Sequence, residues 1–134
     1  MHDIAGRRTY MVYKEFEKFE KRMGFVPQLL ELIRDTNPEM FETISRMDEV
    51  ILKDGALSAK HKRLIAMAIT ASQQCSACVD THARAALYLG ATKEEVMDAL
   101  FVALLVSGAP SIAAAKNTIR FLRGEIDPLE YAGE

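Results

Sequence analysis

Apolar residues recur along this chain at three- and four-residue intervals. Nowhere do they alternate with polar residues for the length of a strand, so the pattern predicts helices throughout. A charged amphipathic segment from Thr9 to Met23 carries Tyr10, Tyr13, Phe16 and Phe19 on related turns. Gly24 and Pro27 punctuate it, and a short helix follows to about Arg34. In "DTNP", Asn37 or Thr36 can cap a helix that starts near Pro38. That helix runs through Met40, Ile44, Met47 and Ile51 to Lys53 and stops at Asp54-Gly55. Ser58 is the next N-cap, and Leu64, Ile65, Met67, Ala68 and Ile69 form the apolar side of a helix ending near Ser72. A further helix covers about Ser76 to Leu89, with Gly90 as its C′ residue. Thr92 and Glu95 make a capping box for a helix from Lys93 to about Val106. After "SGAP" a last helix runs from Ser111 to Arg123.

Composition narrows the function classes. At 134 residues the chain is one domain by size, long enough to bury a core. A formal net charge of −2, with no run of Lys or Arg, argues against a nucleic-acid surface. The N-terminal "MHDIAGRRTY" lacks the apolar core of a signal peptide. The most apolar stretch, Ala99 to Ala115, is interrupted by Gly108 and Pro110 and falls short of a bilayer span, so no membrane segment is expected. The default compartment is the cytoplasm. There a close cysteine pair is catalytic or metal-binding more often than a structural staple.

Both cysteines and one of three histidines lie in "QQCSACVDTH", residues 73–82. The segment opens a helix, with Cys75 at or next to the N-cap. At about 100° per residue, Cys75, Cys78 and His82 fall within roughly a 60° arc if all three are helical. Cys78 and His82 are an i, i+4 pair, close enough to touch. Cys75 and Cys78 sit about one turn apart, within the separation a disulfide tolerates. The positive end of the helix favours a thiolate over a thiol, and His82 can take or supply the thiol proton. Two other readings of the same residues stay open. The three side chains can be buried structural residues. C-x2-C-x3-H can instead supply three zinc ligands, but a structural site needs a fourth; only His2 and His61 remain as histidine donors, and nothing places them nearby.

The wider stretch "GALSAKHKRLIAMAITASQQCSACVDTHARAALYLGATKEEVMDAL", Gly55 to Leu100, resembles the carboxymuconolactone decarboxylase family, in particular its AhpD-like, CxxC-bearing branch. The matching pieces are "LS.K...LI..A", "C..C...H...A" and "GAT.EE...AL", and the resemblance extends over about residues 38 to 120. It implies an all-α fold, a helical bundle of about six helices built around a helical hairpin. One domain then spans 1–134, with 1–37 as a helical extension and 38–123 as the core. It implies a homo-oligomer, trimer or hexamer, with no bound cofactor or metal. By resemblance, the cysteine pair cycles between dithiol and disulfide. It reduces a peroxiredoxin partner, or is recharged by a dithiol reductant while acting as a weak alkylhydroperoxidase. Cys78 is then the thiol taken to sulfenic acid, Cys75 the outer partner and His82 the proton relay. A decarboxylase acting on a cyclic acid and a non-catalytic oligomeric binding protein are the alternatives.

One departure from that pattern matters. The AhpD-like relay includes a glutamate twelve residues before the first cysteine, and here that position is Arg63, in "KHKRLIA". A guanidinium stays protonated and relays nothing, but beside the thiols it lowers a cysteine pKa by charge. On the sequence alone Arg63 either modulates the thiols in this way or faces solvent. Glu42 or Glu49 could supply the missing carboxylate. Met40, Met47 and Met67 read as core filler. His61 reads as an exposed residue and Asp80 as a solvated one. Leu100 to Val106, apolar nearly all round, reads as a helix that a subunit interface covers.

Overall fold

The computed structural model describes residues 4–131. It is all-helical, and among the described residues there is no strand. The elements are α1 (Ile4–Met23), α2 (Gln28–Thr36), α3 (Pro38–Leu52), α4 (Ala59–Ser72), α5 (Ser76–Tyr88), α6 (Lys93–Ser107), α7 (Ala109–Ala113) and α8 (Lys116–Leu122). They divide into two compact units, the first ending at Lys53 and the second beginning at Asp54.

In the first unit α3 packs against both α1 and α2. Its centre is aromatic: Phe41 is fully buried, with the rings of Phe16 and Phe19 6.0 and 6.2 Å away between centroids. Asn37 caps α3 by accepting from the Met40 N–H, and Pro38 occupies the first turn, where its missing donor costs nothing. The expectation that Met40 and Met47 fill the core is overturned, since they are 48% and 57% exposed. The buried row of α3 is instead Phe41 and Ser45, one residue round the helix. Phe41 sets that phase because it has aromatic partners. Ser45 fits behind it because Arg22 donates to both its carbonyl and its hydroxyl, which in turn donates to Glu15. Arg22 also lies 3.6 Å from Asp48 and 3.9 Å from Glu49.

The second unit is built around the α4–α5 hairpin, with α6 against α4 and α8 against α5. Ser58 caps α4 by accepting from the His61 N–H, and Thr92 caps α6 by accepting from the Glu95 N–H. The expected capping box forms, since the Glu95 carboxylate accepts in return from the Thr92 backbone. That carboxylate also meets Lys60 at 2.8 Å, which ties α6 to α4 and, ahead of the Thr92 bonds, holds its pKa below the usual carboxylate range. The core is largely alanine and medium-sized aliphatics: Leu64, Met67 and Ala71 of α4, Val79, Ala83 and Ala86 of α5, Val96 and Leu100 of α6. Small side chains on facing helices let the backbones approach closely, which brings α5 against both α4 and α8. The expected last helix is two. At Ala115 the N–H turns back to Ile112, three residues earlier, and α8 restarts beyond it. Ala114 and Ala115 are both buried at this tightened turn.

Candidate functional site

The hairpin turn consists of Gln73, Gln74 and Cys75. Gln74 is left-handed, φ 58°, and lets the chain reverse within two residues of the end of α4. The Cys75 N–H donates to the Thr70 carbonyl at 3.0 Å and the Cys75 carbonyl accepts the first helical bond of α5, from Val79 at 2.9 Å. Cys75 is therefore the N-cap of α5, as the sequence suggests, with extended backbone angles rather than helical ones. Its side chain makes no capping bond and instead forms a disulfide with Cys78, Cα–Cα 5.3 Å. Both cysteines are half-buried, while Gln73, Gln74, Ser76 and Ala77 around them are exposed. The disulfide thus sits on the outer side of the turn, where another molecule can reach it.

His82 follows Cys78 by four residues on α5, one turn further in, and is half-buried. Arg63 lies on α4, the opposite arm of the hairpin, and is only 3% exposed. The solvent-facing alternative for this residue does not hold. A buried guanidinium stays charged, so the second unit carries a fixed positive charge in the helix pair that bears the thiols. His61 is exposed, and its Nδ1 shares a hydrogen bond with Ser58. Glu49 is occupied in the first unit by Arg22 and Arg46. His2 lies outside the described residues. Among the described residues no group of three or more His, Cys, Asp or Glu is placed to hold a metal ion.

The sequence reading missed a polar group on the other face of α5. Asp80, expected to be solvated, is 2% exposed. Asn117 of α8 donates to its carboxylate and also to the Tyr131 hydroxyl, both at 2.9 Å. Arg84, equally buried, donates to the Pro128 carbonyl, and its guanidinium lies 5.6 Å from the Tyr131 ring. Tyr131 closes edge-on to Phe121 at 5.2 Å. The segment after α8 thereby folds back on α5 and removes Asp80 from water. The signal was present as an Asp and an Arg at i, i+4, the spacing at which opposite charges meet on one helix face.

Comparison with known proteins follows the same hairpin. The family model for the carboxymuconolactone decarboxylase family matches residues 38–120. The chain belongs to the carboxymuconolactone decarboxylase family. Its Cys75–Cys78 pair is consistent with the CxxC-bearing, AhpD-like branch. Protein 4 of the Paracoccus denitrificans cox locus is 36% identical over 81 residues, 60% of this chain and 72% of that protein. A Methanocaldococcus jannaschii protein is 28% identical over 76% of this chain and 99% of its own length. A carboxymuconolactone decarboxylase family protein from Legionella pneumophila, solved in its apo form, superposes with a TM-score of 0.66 and 31% identity, over 81% of this chain and 96% of that one. A Burkholderia xenovorans crystal structure bearing the same family name aligns with a TM-score of 0.69 over 89% of this chain and 98% of its own. At 24% identity it speaks for the fold alone.

Proposed function

We propose that this member of the carboxymuconolactone decarboxylase family is a thiol–disulfide oxidoreductase, with Cys75 and Cys78 as its redox pair and His82 as acid and base. One observation carries the reading: the two cysteines are joined at the N-terminal end of α5 with a histidine one turn behind them. In the reductive half-reaction an external thiolate attacks Cys75 Sγ and the Cys75–Cys78 bond breaks. Cys78 leaves as a thiolate, stabilised by the helix end, and takes a proton from His82. A second external thiolate attacks the donor sulfur of the mixed disulfide, the donor leaves as its own disulfide, and Cys75 leaves as a thiolate that takes its proton from solvent, which also reprotonates His82. Two electrons and two protons enter the protein. In the oxidative direction Cys78 thiolate attacks the terminal oxygen of a hydroperoxide, forming sulfenic acid and releasing an alcohol that takes its proton from His82. Cys75 then attacks the Cys78 sulfur, the disulfide re-forms, and water leaves.

Arg63 sets the balance between these uses. A guanidinium relays no proton, and set beside the thiols its charge favours the thiolate. Disulfide exchange with a peroxiredoxin or small dithiol is therefore fast, and peroxide reduction slow. No bound cofactor enters either half-reaction. The assembly is a homo-oligomer, trimer or hexamer, and the reading places it in the cytoplasm. Support for association comes from α6, where Leu105 is 86% exposed, with Val106, Phe101 and Val102 beside it. Patches of this kind mark interaction surfaces.

The test is thiol titration in redox buffers followed by alkylation. Both thiols should oxidise together, and Cys78→Ser should abolish turnover. Two free thiols after oxidant treatment, or stoichiometric zinc, would overturn the assignment. The family name itself supports a second reading, decarboxylation of a cyclic acid through His82 alone, which predicts that Cys75→Ser and Cys78→Ser leave activity intact.

A further inference from the structure

The first unit contains a cleft of about 490 Å³ that the thiol chemistry does not use. One side is a single face of α1, on which Val12, Tyr13 and Phe16 line the cleft, and Pro38 at the start of α3 lies against the other. The lining of α1 runs from Ala5 to Phe16, roughly 16 Å along the helix. Its walls are mostly apolar, but two guanidiniums line it, Arg8 and Arg34, and among the described residues no carboxylate does. Arg34 is the better placed. Its guanidinium stacks on the Phe16 ring, 4.4 Å from the centroid, which fixes its plane at the cleft. Among the described residues it bonds through Nε alone, to the exposed carboxylate of its neighbour Asp35 at 3.0 Å. Arg8 meets the equally exposed Glu39 at 3.5 Å. Both acids lie in water, where such pairs are weak.

We propose that this cleft binds a straight-chain carboxylate of medium length. The acyl chain lies along Val12, Tyr13 and Phe16, and the carboxylate accepts from the outer nitrogens of Arg34, with Arg8 adding field rather than a specific bond. Three features select this class. The volume falls in the range of small-molecule sites. The groove is long and apolar, which matches a chain better than a compact polar metabolite. Among the described residues the charged groups that line it are guanidiniums, and a planar guanidinium held by an aromatic ring presents two parallel N–H groups, the geometry a carboxylate takes. The proposal stands independently of the redox assignment.

The experiment is calorimetric titration of the full chain with decanoate and, separately, decanol, each below its aggregation concentration. Decanoate should bind saturably, one per chain, and at least about tenfold tighter than decanol, the factor that one charged hydrogen bond supplies. Arg34→Gln should cut that difference to the roughly threefold that Arg8 supplies, with decanoate losing far more affinity than decanol. Arg34→Lys should keep part of it, and Arg8→Gln should weaken decanoate by about threefold, consistent with a half-exposed charge. Phe16→Ala should weaken both ligands. No saturable binding, equal affinity for the two ligands, or an Arg34→Gln protein that binds decanoate as the parent does would each overturn the proposal. If Arg34→Gln does not fold, Arg34→Lys decides the matter, since full retention of affinity would exclude a bidentate contact.

Discussion

The two units solve the burial problem by opposite means. Up to Lys53 the chain fills space with large rings, Phe16, Phe19 and Phe41, and anchors them with one arginine, Arg22, that satisfies a buried serine and faces two carboxylates. From Asp54 onward the core is made of small side chains that let helices approach, and polar groups are buried among them: Arg63, Asp80, Arg84 and Thr118. A ring-filled unit tolerates no loss of volume, whereas an alanine-packed unit tolerates no gain. Close helix packing is also what presses α5, with its thiols and histidine, against the helix that holds Arg63.

The sharpest way to break this contrast is to remove Phe41. Phe41→Ala empties a fully buried site and should cost about 3–5 kcal/mol, while Phe41→Leu should cost much less. Chemical denaturation of the full chain reads both, and equal costs would mean that the ring packing is not what holds the unit. The mirror experiment is Ala83→Leu, which adds volume where helices meet closely and should cost about 1–3 kcal/mol. It should also shift α5 enough to slow disulfide formation. A neutral outcome would show slack in the second core.

A smaller effect is expected from Tyr131→Phe. It removes the hydroxyl that accepts from Asn117 and should cost about 1 kcal/mol. The folded-back segment should then exchange amide protons faster than α5 itself. The smallest effect belongs to Glu95. Its carboxyl pKa is lowered, first by the hydrogen bond from Lys60, so the stability it contributes is present above the ordinary carboxylate pKa and is lost as pH falls through the folded value. Glu95→Gln should therefore be slightly less stable than the parent at neutral pH, and the two melting curves should converge under acid conditions. A gap that persists at low pH would assign the effect to packing rather than charge.

The local signals were sufficient for most of the elements, though not for the start of α1 at Ile4 or the break between α7 and α8. Periodicity, Asn37, Ser58, Thr92 and Gly90 located helix starts and stops, because caps and turns depend on residues adjacent in the chain. The cysteine pair was legible for the same reason: three positions at a helix start bring two thiols within bonding distance without help from the rest of the fold. What periodicity could not decide was phase. On α3, Met40, Met47 and Ile51 repeat as regularly as Phe41 and Ser45, and the inward row was chosen by partners far along the chain, the α1 rings and Arg22. The fate of polar side chains was likewise out of reach. Asp80 and Arg63 look soluble by type, yet both are buried, Asp80 under a segment some forty to fifty residues later and Arg63 within the hairpin. The sequence by itself determined where most helices begin and end and that two thiols meet. The tertiary structure alone decided which face of each helix turns inward and which charges leave water, because those outcomes depend on contacts between residues distant in sequence.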